Sequence, residues 1–150
     1  MKAPALLFAV AFLAGLTSCT SDDNSARPVD PTADAIAKAQ VVVTFFREEE
    51  PCDTTKRVEQ MCRNAVAAGF GSELNSGEVV YRVICAMLPE NDHYLDDYEI
   101  GEKALIVARQ ENGKECEFVA CHDIWILFEE ETSEFDAYVQ QQIRDYLAKG

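Results

Sequence analysis

"QVVVTFFREEEPCDTTKRVEQMC", residues 40–62, decides the architecture, because its pattern changes once, at Pro51-Cys52. Gln40 to Phe46 is an unbroken run of β-branched and aromatic residues. A strand buried on both faces reads this way, as in a parallel sheet covered by helices. Beyond the corner, Val58, Met61, Cys62, Ala65 and Val66 recur at helical spacing, with Lys56, Arg57, Glu59 and Arg63 on the opposite side. Thr54 is the expected N-cap of this helix and Gly69 its expected stop. A strand therefore hands the chain to a helix, and a thiol stands at the junction.

Downstream, "GEVVYRVICAML", Gly77 to Leu88, is a second strongly apolar strand, ended by Pro89. Strand, helix and strand of this kind usually form a right-handed parallel crossover. "ENDHYLDDYEI" follows as a weaker helix carrying Tyr94, Leu95 and Tyr98 on one side. "KALIVARQ" and "KECEFVAC" flank Glu111-Asn112-Gly113, and Asn-Gly between two apolar runs predicts a hairpin. "HDIWILF" either extends the second hairpin strand through a bulge or forms a short segment of its own. Phe135, Tyr138, Val139, Ile143, Tyr146 and Leu147 mark a last amphipathic helix behind a Ser133 cap. The expected fold class is α/β, with a central mixed sheet of about four strands, two parallel by crossover plus a hairpin, flanked by helices.

Upstream, Lys2 followed by the apolar run Ala5–Gly15 reads as a secretion signal, too short to span a bilayer comfortably. It closes on Leu16-Thr17-Ser18-Cys19, which resembles the bacterial lipobox. That resemblance implies cleavage before Cys19 and acylation of its sulfur and new amino terminus, and two or more chains give stable anchoring. The expected organisation is a signal peptide over residues 1–18, a lipidated Cys19 and flexible tether over 19–39, and one domain over 40–150. The expected location is the bacterial cell envelope, outside the cytoplasm and held to the membrane through the lipid on Cys19. Whether that is the periplasmic or the outer face stays open.

The formal charge is −14, and loss of the leader with its Lys2 leaves 12 basic and 27 acidic side chains, or −15. That sign repels phosphate backbones and argues against a nucleic-acid partner. Cationic partners fit an acidic surface, without being identified by it. Of six cysteines, five remain beyond Cys19: Cys52, Cys62, Cys85, Cys116 and Cys121. An odd number outside the cytoplasm leaves at least one unpaired or paired with another molecule.

The element order, with a cysteine at the first strand-to-helix junction, resembles the thioredoxin fold. Val58-Glu59 in the helix and Ser76-Gly77-Glu78-Val79-Val80-Tyr81 at the second strand look like the ArsF-type proteins, a nitrophenyl-compound nitroreductase subunit family, over about residues 40 to 148. The resemblance implies that Cys52 is the attacking cysteine of a Cys-x-x-Cys pair. Thr55 occupies the position of the resolving cysteine, so a two-thiol cycle within one subunit is not expected. "YEIGEKALIV" also lacks the proline that thioredoxins place before their third strand. Two functions remain: a membrane-anchored accessory or binding module with a degenerate redox motif, or a monothiol thiol–disulfide oxidoreductase using Cys52 with an external reductant. Both imply a protein partner or thiol client.

Elementary electrostatics favours a reactive Cys52, since helix-terminal amides and the positive end of the dipole stabilise thiolate. Glu48, Glu49, Glu50 and Asp53 oppose ionisation, while Arg47, Lys56 and Arg57 offset them, and the sequence leaves the net sign open. A disulfide from Cys52 is a further alternative. Cys62, on the apolar helix face, and Cys85, in an apolar strand, read as small packed hydrophobes. Cys62 lies too far along an unbroken helix to join Cys52. Cys116 and Cys121 would face opposite sides of a regular strand, although a bulge would change that, and a disulfide between them, or from either to Cys85 or Cys62, stays open outside the cytoplasm. Cys116, Cys121 and His122, with His93, are ligand types at spacings that match no standard zinc site, so no metal is expected. No cofactor is expected either: no phosphate-binding glycine loop, nucleophile-elbow serine or HExxH helix is present.

Overall fold

A computed structural model of the chain describes residues 31–150. The leader at 1–18, Cys19 and the tether up to residue 30 lie outside the described residues. Within the stretch expected as tether, α1 (Ala33–Lys38) forms a short helix whose Thr32 side chain accepts a hydrogen bond from the Ala35 amide. Its Ile36 packs with Ala39, Val42 and Val80, so the chain is already tied to the sheet before β1.

The central strand is β1 (Val41–Arg47). It pairs in parallel with β2 (Val79–Cys85), Val41 opposite Val79 and Phe46 opposite Ile84. On its other edge it pairs antiparallel with β3 (Ala104–Glu111), Phe46 opposite Ala104. β3 in turn pairs antiparallel with β4 (Lys114–Ala120), giving the order β2-β1-β3-β4. This order and these directions are those of the thioredoxin-like α/β fold expected from the sequence. β2 is shorter than its apolar run implied, because the chain turns away after Cys85.

Burial explains why β1 reads as an unbroken apolar run. Val41, Val43 and Phe45 face α2 (Asp53–Gly69) and α6 (Thr132–Leu147), while Val42, Thr44 and Phe46 face the other layer. All six are buried, and each large apolar side chain removed from water contributes about 1.5–3 kcal/mol. α2 and α6 approach closely at Gly69, where a Cβ would meet the Gln140 side chain at 2.7 Å. The Gln140 amide donates to the Ala65 carbonyl at 3.0 Å, securing the same crossing. The opposite face is closed by α4 (His93–Asp97) and an aromatic cluster of Phe46, Tyr94, Tyr98 and Phe118.

The hairpin turns at Asn112 and Gly113, both with positive φ (53° and 74°), as the Asn-Gly signal requires. A bulge between Arg109 and Gln110 shifts its register. "HDIWILF" is a segment of its own, containing α5 (Ile124–Leu127). A further helix, α3 (Gly71–Ser76), was not expected. Two caps differ from expectation. α2 is capped by Cys52 rather than Thr54, and α6 by Glu131 rather than Ser133, because helical geometry begins two residues earlier in each. Among the described residues no helix is long and apolar enough to cross a membrane.

Candidate functional site

The parallel strand β1 ends at Arg47, and the chain crosses Glu48 to Pro51 before α2 starts at Asp53. β3, adjacent to β1, begins where β1 ends because the two are antiparallel, which brings Lys103 beside Glu48. The chain leaves β1 toward α2 and β2 on one side while β3 lies on the other. In open α/β sheets such a divergence at the carboxyl end of a strand is where ligands collect.

Cys52 stands at this corner as the N-cap of α2, exposed and free, with extended backbone angles (φ −68°, ψ 168°). Its Sγ lies 3.3 Å from Thr55 Oγ1. The Thr55 hydroxyl is fully buried and donates to Glu48 Oε1 at 3.1 Å. The same Oε1 faces the Cys52 amide at 3.5 Å and Lys103 Nζ at 3.5 Å. Glu48 Oε2 is buried without a hydrogen-bond partner among the described residues. An open cavity of about 590 Å³, lined by Gly101, Glu102, Lys103 and Trp125, adjoins this cluster through Lys103.

The thiol of Cys52 is held below its ordinary pKa, first by the Thr55 hydroxyl and then by the Thr55 amide, with smaller help from the Thr54 amide and the Lys103 charge. These amides point toward the sulfur without closing a regular cap hydrogen bond. Partial burial pulls the Glu48 carboxyl upward. Donation from its own amide, from Thr55 and from the Cys52 amide, together with the Lys103 charge, more than offsets that and keeps it below the usual carboxylate range. Both shifts draw on one hydroxyl hydrogen, so the full effect belongs to only one acceptor at a time.

The expected role of nearby cations is corrected in one respect. Arg47 pairs with Glu59 at 3.3 Å, Lys56 with Asp53 at 3.7 Å, and Arg57 lies over the Phe128 ring. Lys103, distant in sequence, is the cation that reaches the site. Its only local signal is its place just before a strand. Glu48, grouped in the sequence with three other carboxylates, is singled out by its contact with Thr55, while Glu49 and Glu50 are exposed.

The remaining cysteines stay apart from this chemistry. Cys62 is buried in the core, and burial holds its thiol well above the ordinary value, as expected for a packed hydrophobe. Cys121 is buried as well, its thiol pushed up to about 12 by burial and by the charge of Asp123. Cys85 is half-buried, and Cys116 is exposed, donating to the Arg109 carbonyl at 3.3 Å. Among the described residues all five are free thiols, and Cys52 is joined to none of the other four. His93 contacts Asp97 at 2.8 Å, and no group of three or more possible metal ligands assembles among the described residues. No protein-family model matches the chain, and no curated protein matches it.

Proposed function

We propose that this protein is a lipid-anchored, thioredoxin-like monothiol oxidoreductase of the bacterial cell envelope, exchanging disulfides through Cys52. The observation that carries the reading is an exposed, unpaired sulfur at the N-terminus of α2, beside a hydroxyl in the place of a resolving thiol. Thiolate is the attacking form, and its stabilisation here supports that role.

In the exchange, the Cys52 thiolate attacks one sulfur of a client or glutathione disulfide. A new S–S bond joins Cys52 to that half, and the other half leaves as thiolate. An external thiolate then attacks the mixed disulfide at the client sulfur, returning Cys52 thiolate and carrying the client away as a disulfide. Thr55 cannot perform that second attack, so a low-molecular-weight or protein thiol must supply it.

Residues 1–18 and Cys19 support extracytoplasmic placement, where disulfide clients occur. A second reading, an accessory or binding module that partners a redox enzyme as the ArsF-type resemblance implies, is favoured by Ile126. That residue is 67% exposed, next in sequence to the cavity-lining Trp125.

Trapping separates the two. Full-length protein is exposed to envelope proteins under mild oxidation, and DTT-sensitive adducts are compared with those of Cys52→Ser. Loss of all adducts in the variant supports exchange. Adducts that persist through another cysteine, or partners retained without any disulfide, refute it and favour the accessory module.

A further inference from the structure

Thr55 has one hydroxyl hydrogen and two acceptors within reach, Glu48 Oε1 at 3.1 Å and Cys52 Sγ at 3.3 Å. With Cys52 protonated, the arrangement is complete in one direction: the thiol donates to Thr55 and Thr55 donates to the Glu48 carboxylate. A charged acceptor takes the stronger hydrogen bond, and a chain of donors pointing the same way reinforces itself. With Cys52 ionised, two anions face one hydrogen. The sulfur gains it only if Glu48 gives it up.

Glu48 has little that is strong to replace the loss. Its Oε2 already lacks a partner among the described residues, and besides its own amide the carboxylate keeps only the Cys52 amide and Lys103 on Oε1, each at 3.5 Å. The Glu48 side chain is 18% exposed, which limits how far water replaces the lost bond. The other charges around the corner are exposed: Glu49 and Glu50 from the β1–α2 connection, Asp53 and Lys56 from α2, and Glu102 beside Lys103 before β3. Solvent screens them. Glu48 therefore differs from its acidic neighbours in acting through a specific hydrogen bond as well as through charge.

We infer that Glu48 is a positioning residue that restrains Cys52, by competing with its sulfur for the single hydroxyl hydrogen of Thr55. The inference rests on the proposed thiol exchange and adds its regulation. While Glu48 holds the hydrogen, ionisation of the exposed thiol is held back, and the hydrogen returns to Glu48 once the sulfur becomes neutral in the mixed disulfide.

A double-mutant cycle on the full chain tests this, reading the rate of iodoacetamide labelling of Cys52 by peptide mass at about pH 7. Glu48→Ala releases the Thr55 hydrogen and is expected to speed labelling roughly fivefold, the size of one ordinary hydrogen bond. Glu48→Gln removes the charge but keeps an acceptor, and falls between. Thr55→Val slows labelling. Added to Thr55→Val, Glu48→Ala changes the rate less than about twofold, since only charge remains to be removed.

Equal effects of Glu48→Ala in the two backgrounds would overturn the inference, as would faster labelling of Thr55→Val alone. If Glu48→Ala does not fold, the Glu48→Gln arm of the same cycle decides, with the same non-additivity required. The outcome is independent of the trapping experiment. Coupling without any client adduct removes the exchange reaction and leaves the hydrogen-bond competition standing. Client adducts without coupling do the reverse.

Discussion

Restoring a second thiol by Thr55→Cys perturbs the site most informatively. Thr55 Oγ1 lies 3.3 Å from Cys52 Sγ, and a disulfide needs about 2.0 Å, so a sulfur placed at the hydroxyl position must close roughly 1.3 Å. Cys52 supplies much of that by side-chain rotation, because it is exposed and stands outside the helix as its N-cap. The substitution deletes one buried methyl and the donor to Glu48, costing about 1–3 kcal/mol in the reduced state. Oxidation should then join positions 52 and 55, removing two alkylatable thiols per chain. Any mixed disulfide formed by Cys52 should be resolved internally rather than accumulate. Quantitative thiol titration before and after oxidation, with peptide mapping, reads both effects. If the thiols at positions 52 and 55 of the variant remain separately alkylatable after oxidation, or client adducts persist as in the unaltered protein, the two positions do not share a redox corner.

Two further outcomes follow from the core. Phe45→Ala, at a fully buried site on the central strand facing both α2 and α6, should lower stability by about 3–5 kcal/mol in urea unfolding; a loss under about 1 kcal/mol would contradict the assigned packing. Stability should also fall in alkali. Burial holds the thiols of Cys62 and Cys121 and the phenol of Tyr81 above their ordinary values in the folded state. The unfolded chain therefore releases those protons first, so their contribution is complete below about pH 8.5 and declines as pH rises, for Cys121 through about 12. Urea midpoints at about pH 7.5 and 10 should differ, and Cys121→Ala should flatten the decline; a midpoint unchanged over that range would contradict it.

Local patterns carried much of the fold because they report on local physics. The run at Val41–Phe46 is buried on both faces, and Asn112-Gly113 adopts the two positive φ angles its hairpin needs. Thr54 and Ser133 misled as caps, since helical geometry begins at Asp53 and Thr132, under Cys52 and Glu131, neither of which makes a side-chain cap bond. α3 was missed because Gly71-Ser72 reads as loop while the helix is tied to Phe70, whose carbonyl accepts the Leu74 amide. At the site, the change of pattern at Pro51-Cys52 put Cys52 at the strand-to-helix junction, while the pairing of Cys52 with Thr55 was implied by the resemblance alone. The meeting of Glu48 with Lys103 was not. It depends on β1 pairing with β3 in the register that sets Phe46 opposite Ala104, a non-local fact that no short motif encodes.

The most direct measurement is the rate at which Cys52 is alkylated in the folded full-length protein, followed across roughly pH 5 to 10 by peptide mass. The account predicts half-maximal reactivity below the ordinary thiol value of about 8.5, with Cys52 faster than the exposed Cys116 at neutral pH and with Cys62 and Cys121 unlabelled. Half-maximal reactivity of Cys52 at or above that value, or labelling no faster than Cys116, would contradict it.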